Sequence, residues 1–92
     1  MKLRRFWFEF DVSIADIPFP GALIGCGVTA FDVEDAKTLL QRRLLGAQPM
    51  PEIRRVIVDV DVSKLDPGHV LPNMAPPDRR GIWFPAGFTE PT

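Results

Sequence analysis

From Asp32 to Gly46 the chain carries the start signal, the apolar stripe and the stop signal of one amphipathic helix. Asp32 suits the N-cap, where a carboxylate accepts from exposed amides two or three residues on. Asp35 stands where it completes an acidic version of the capping box, and Phe31 and Ala36 are spaced for a small apolar staple. Asp32, Glu34 and Asp35 lie at the positive end of the helix dipole, Arg42 and Arg43 at the negative end. Val33, Ala36, Leu39, Leu40 and Leu44 form the stripe, while Lys37 and Gln41 face away. Gly46 is placed to end the helix, and Pro49 and Pro51 prevent its continuation. Such a helix has to bury its apolar face, so a sheet is expected beneath it.

The flanking segments supply that sheet. Phe6, Phe8, Phe10 and Val12 alternate with Trp7, Glu9 and Asp11, the two-residue period of a strand over about residues 3–13. Pro18, Pro20 and Gly21 then break the chain, and residues 24–31 read as a second strand. Gly25 and Gly27 within it suggest a bulge, a bend or close approach of another group. A third strand is expected at 53–62, with Val56, Val58, Val60 and Val62 toward the helix and Ile57, Asp59 and Asp61 on the other side. Beyond Ser63 lie a turn at Asp66-Pro67-Gly68 and a proline-rich loop. Gly81-Ile82-Trp83-Phe84 is too apolar for a free tail and reads as a short last strand or a packed arm.

This order predicts an α+β fold of three or four strands with one main helix on one face, β-β-α-β. The early hairpin favours a grasp-like arrangement over an incomplete split βαβ, and the crossover allows the second and third strands to pair in parallel. Ninety-two residues suffice for one small domain over 1–92, with 63–92 a largely irregular arm packed on it and Thr89 to Thr92 loose.

Composition narrows the function classes. A net charge of −1 removes the usual electrostatic case for a nucleic-acid binder or a polybasic membrane anchor. The apolar stretch Ile14 to Phe31 is interrupted by Asp16, two prolines and three glycines, so no membrane span is expected. The N-terminal run Leu3-Arg4-Arg5-Phe6-Trp7-Phe8 is cut by Glu9 before it could be a signal-peptide core. One cysteine, Cys26, points to a reducing compartment, and together these features suggest a cytoplasmic protein.

Several constellations could carry chemistry. Glu9, Asp11, Asp59 and Asp61 share one sheet face on the expected strand facing, and His69 follows soon after. Such a set could hold a divalent cation or meet a basic protein, while ordinary solvated carboxylates give the same pattern. His69 with Cys26 and Asp66 or Asp78 would make a nucleophilic site only if the thiol were exposed; an apolar strand favours a buried one. The glycines at 21, 25 and 27 lack the lysine and hydroxyl of a phosphate loop and do not open the helix. Arg42, Arg43, Arg54, Arg55, Arg79 and Arg80 beside tryptophans could suit a single strand of nucleic acid, but twelve acidic residues oppose them.

The last constellation is Arg79-Arg80-Gly81-Ile82-Trp83-Phe84, with Phe88 beyond it. Tryptophan and arginine are frequent interface anchors, although these aromatics can equally seal the domain's own core. No cofactor fingerprint and no catalytic set emerges. The leading expectation is a non-catalytic protein-interaction module, such as a small bacterial accessory, adaptor or neutralising protein. Its candidate contact residues are Trp7, Glu9, Asp11, Asp59, Asp61, His69, Arg79, Arg80, Trp83 and Phe84. The alternatives are a small metal-dependent protein using Glu9, Asp59, Asp61 and His69, and a structural homodimer subunit.

The facing of the third strand is testable. Val58→Asp should destabilise severely and Asp59→Ser should be nearly neutral in denaturant unfolding; equal effects would mean that the facing is wrong.

Overall fold

The computed structural model describes residues 2–13, 15, 17–19 and 21–85. Four strands, β1 (Arg4–Phe10), β2 (Cys26–Ala30), β3 (Ile53–Val58) and β4 (Gly81–Phe84), form one sheet in the order β3-β1-β2-β4. Every neighbouring pair is antiparallel, with Phe6 opposite both Val28 and Val58. The small α+β fold expected from the sequence is therefore present. Since β1 runs against both β2 and β3, those two share a direction with β1 between them. This is the split arrangement; the parallel pairing that the crossover allowed does not form.

The helix, α1 (Val33–Leu40), starts as its residues dictate. Asp32 accepts from the Asp35 amide at 2.8 Å, and Asp35 accepts in return from the Phe31 amide at 3.0 Å. Phe31 does not bury itself as a staple; it stays 36% exposed with the Arg80 guanidinium over its ring. After Leu40 the helix widens into a π turn, Gln41–Leu45, ended by Gly46 at φ 62°. The Gln41 side chain donates to the carbonyls of Gly46 and Gln48, replacing partners that the helix end lacks. Leu44 and Leu45 are both buried beside Ala36, Leu39 and Leu40.

Beneath the helix lies the first core. Phe6, Phe8 and Phe10 meet Cys26, Val28, Ala30 and Ile82 there, and Phe19 and Ala22 from the β1–β2 connection close one side. Phe19 sets its edge against the Phe10 ring, with centroids 5.8 Å apart.

The opposite sheet face holds a second core in place of a solvated surface. Trp7, Val60, Val70, Trp83 and Phe84 are buried together, with Ile57, Val62, Leu65, Met74 and Ala75 packed on them. Two glycines make this possible. An ideal Cβ on Gly25 would lie 2.6 Å from the Trp7 ring, and one on Gly27 would overlap the Trp83 ring outright. A bulge in β4 then turns Trp83 and Phe84 to the same side of the sheet.

Residue Asp59 accounts for the main departure from the expected third strand. The strand ends at Val58, and Asp59 takes a left-handed conformation, φ 55°, which reverses the alternation. Val60 keeps its amide on the Arg5 carbonyl at 3.2 Å but its side chain joins Trp7, away from the helix. Val62 follows it. Val56 packs toward the helix as expected, whereas Val58 lies at the sheet edge, 42% exposed. Arg54 is the extra residue of a bulge in this edge strand, a feature that discourages edge-to-edge pairing.

Residues 61–77 then cross the second face as a strap of short turns. Asp61 caps the turn Val62–Lys64, and Asp66 caps the next by accepting from the Gly68 amide at 2.8 Å. The strap is tied to the sheet by the Ala75 amide on the Trp83 carbonyl at 2.8 Å and by the Thr29 hydroxyl on the Pro77 carbonyl at 2.6 Å. Within the segment expected to be an irregular arm, β4 is thus a true strand. Phe88 and Thr89 to Thr92 lie outside the described residues, as do Ile14, Asp16 and Pro20.

Denaturant unfolding should reflect this packing. Gly25→Ala and Gly27→Ala are each expected to cost about 1–3 kcal/mol or more, because a tightly packed indole must move. Gly68→Ala, where the nearest atom is 3.4 Å away, should stay within about 0.5 kcal/mol. Val58→Asp should cost only about 1 kcal/mol, and the severe effect, at least about 3 kcal/mol, transfers to Val60→Asp.

Candidate functional site

The strap does not cover the whole second face. Between it and β1 and β3 lies an open groove of about 400 Å³. Its floor is apolar, formed by Trp7, Ile57, Val60, Leu65 and Val70, and Ile24 forms part of the opposite lip at 37% exposure. Charged residues border it: Glu9 and Arg55 from the sheet, and Asp61, Lys64 and Asp66 from the strap.

The sheet pair is internally matched. Glu9 Oε2 accepts from the Trp7 indole Nε1 at 3.3 Å and from Arg55 at 3.0 Å. One carboxylate thereby orients the indole and neutralises the arginine. Trp83, by contrast, has its Nε1 buried with no hydrogen-bond partner among the described residues.

Backbone groups hold the strap carboxylates. Asp61 Oδ1 accepts from the Ser63 hydroxyl at 2.6 Å and its amide at 3.1 Å, which keep the Asp61 carboxyl below its ordinary range. Asp66 is lowered chiefly by the Gly68 amide and then by the His69 ring, whose Nδ1 lies 3.0 Å from Oδ2. Both carboxyls are thus oriented by the turns that lower them.

The expected carboxylate face is not assembled. Glu9 is held by Arg55, and Asp59 turns to Arg4 at 2.6 Å, which lowers its pKa. Asp61 caps a turn, and Asp11 lines a separate cleft with Pro18, Gln48 and Met50. Among the described residues no three of His, Cys, Asp and Glu converge as metal ligands would. Cys26 is fully buried in the helix-side core, and burial pushes its thiol well up. His69 sits on the exposed strap, so the two cannot act together.

Most of the other anticipated contact residues have internal roles. Trp7, Trp83 and Phe84 are at most 3% exposed, and Trp7 lies 5.9 Å from Trp83 and 5.7 Å from Phe84 between ring centroids. They form no open stacking platform. Arg80 pairs with Asp35 through Nε at 3.0 Å and a second nitrogen, joining β4 to the helix start. Arg79 remains on the surface. Trp7, Glu9 and Asp61 are the members of the anticipated set that the fold gathers around the groove.

Sequence alone does not bring Ile24, Leu65, Lys64 and Asp66 to a groove, because the outer sheet face reads as solvated when the third strand is extended through Asp61. The apolar spacing of Val60, Val62, Leu65 and Val70 is the signal that marks a covering segment. A second hollow of about 340 Å³ lies at the sheet end among Lys2, Arg4, Arg5, Asp59 and Asp78. Its charges are mixed: Arg4 pairs with Asp59, and Arg5 donates to the Pro77 carbonyl. No helix of the described residues is long and apolar enough to cross a membrane.

No family model matches the chain, and no curated protein or solved structure was found to be similar to it.

The Asp35–Arg80 pair predicts a pH signature. Hydrogen bonding from Arg80 is the largest influence lowering Asp35, so its stabilisation is present above the ordinary carboxylate range and is lost as pH falls through the depressed folded value. Arg80→Leu should lower unfolding stability by about 1 kcal/mol near neutral pH. In strong acid the variant and the parent should converge, as measured by denaturant titration across the acid range.

Proposed function

We propose that this chain is a non-catalytic protein-interaction module, an adaptor or neutralising protein whose recognition surface is the groove on the second sheet face. The observation that carries this reading is the combination of an open apolar floor with a rim of oriented charges. Mixed surfaces of this kind suit a protein segment, which brings side chains for the floor and backbone or charged groups for the rim. The rim carboxylates support binding more readily than turnover. Asp61 is occupied by the Ser63 amide and hydroxyl, Asp66 by turn amides and the His69 ring, and Glu9 by Arg55 and Trp7.

The groove is also rigidly backed. Its floor residues rest on two indoles and on the central strand β1, so a partner would meet a surface already in its bound shape. A cytoplasmic setting accords with the single cysteine.

A photo-crosslinking residue placed at position 24, on the groove lip, tests the reading in the native cell. It should yield a discrete adduct that disappears when Leu65→Arg fills the groove, and the same probe at position 42 on the helix should yield none. An adduct of twice the chain mass would identify the partner as a second copy. Equal adducts from both positions, or none from position 24, would defeat the proposal.

A further inference from the structure

We infer that the groove selects a partner segment in which an apolar side chain stands beside a lysine or arginine, an inference that rests on the interaction reading above. The apolar half of the requirement follows from the floor. Ile57 and Leu65, half-buried, and Ile24 on the lip offer carbon surface over the buried Trp7 and Val60, and the Trp7 indole N–H is already bound to Glu9. A polar side chain placed on it would lose water without gaining a partner.

The cationic half follows from which charges remain unmatched. Arg55 and Glu9 satisfy each other at 3.0 Å across the floor's sheet side. On the strap side, Asp66 already holds the His69 ring at 3.0 Å and the Gly68 amide, which leaves Asp61, beside Lys64 on the rim, as the carboxylate with an open oxygen. Asp61 uses only Oδ1 for the Ser63 amide and hydroxyl, and its Oδ2 makes no hydrogen bond among the described residues. That oxygen can accept from an incoming ammonium or guanidinium, and its orientation is already set by the turn. An anionic partner would meet both strap carboxylates, which explains why a cation is selected. A bare metal ion fits less well, because it needs several oxygens converging and no such group of three forms among the described residues.

The strap carboxylates are exposed, so the charge contributes selectivity and salt dependence more than bulk affinity.

Panning a random heptapeptide library displayed on phage against the immobilised full chain tests this directly. Selected peptides should place an aliphatic or aromatic residue next to lysine or arginine. A synthetic copy of a selected peptide should bind Asp61→Asn about threefold or more weakly, with a similar loss on raising salt. Leu65→Arg, and independently the lip variant Ile24→Arg, should abolish binding; amide spectra would establish that each variant is folded. Groove-dependent peptides without cation enrichment, or with affinity unmoved by Asp61→Asn, would overturn the charge inference and leave the interaction reading standing. A selection that returns no peptide sensitive to either blocking variant would overturn both.

Discussion

The structure depends on two indole rings lying flat against backbone that carries no side chain. Trp7 rests over Gly25 and Trp83 over Gly27, where a single added carbon would overlap each ring. Both rings are almost wholly buried, and Phe84 fills the space next to Trp7. Burying two tryptophans and a phenylalanine on one face of so short a chain yields a large hydrophobic gain. It is large enough to accommodate the orphan Nε1 of Trp83, whose burial without a partner costs roughly 1–3 kcal/mol. The glycines serve as seats for the rings; they are not traces of a phosphate loop.

Once the second face is apolar, something must cover it. The strap of residues 61–77 does so with Val62, Leu65, Val70, Met74 and Ala75. Asp59 makes the transition, since its left-handed backbone swings Val60 from the helix side to the indole side while its carboxylate holds Arg4. The groove is what remains between the strap and the sheet. Its charged rim is a consequence of how the strap turns are capped, because the carboxylates that cap turns at Asp61 and Asp66 are held at the groove's edge.

The helix side is simpler, and charge joins it to the rest. Asp35 receives the Phe31 amide at the helix start and the Arg80 guanidinium from the approach to β4. The edge strand β4 is thereby fastened to the helix on one face while its tryptophan anchors the other. Few contacts link so many parts of the chain, and the Arg80 side chain also lies on Phe31.

How much of this was legible in the residues differs from part to part. The helix from its Asp32 cap to Gly46, the alternation of Phe6, Phe8 and Phe10, and the apolar block at Ile82 to Phe84 are local signals, and local geometry alone makes them binding. Turn chemistry at Asp66-Pro67-Gly68 belongs with them. The π turn at Gln41–Leu45 does not, since it depends on packing two consecutive leucines against a sheet. Nor does the reversal at Asp59: an Asp-Val-Asp-Val run continues a strand pattern on paper, and only the pull of Trp7 on Val60 and of Arg4 on Asp59 decides otherwise.

The capped helix and the alternating strands therefore determined the class of fold, because those signals act between residues a few positions apart. Tertiary structure decided which face of the sheet is covered and where the groove opens. Those outcomes rest on a glycine meeting an indole more than fifty residues away, a match of shapes that no periodicity records.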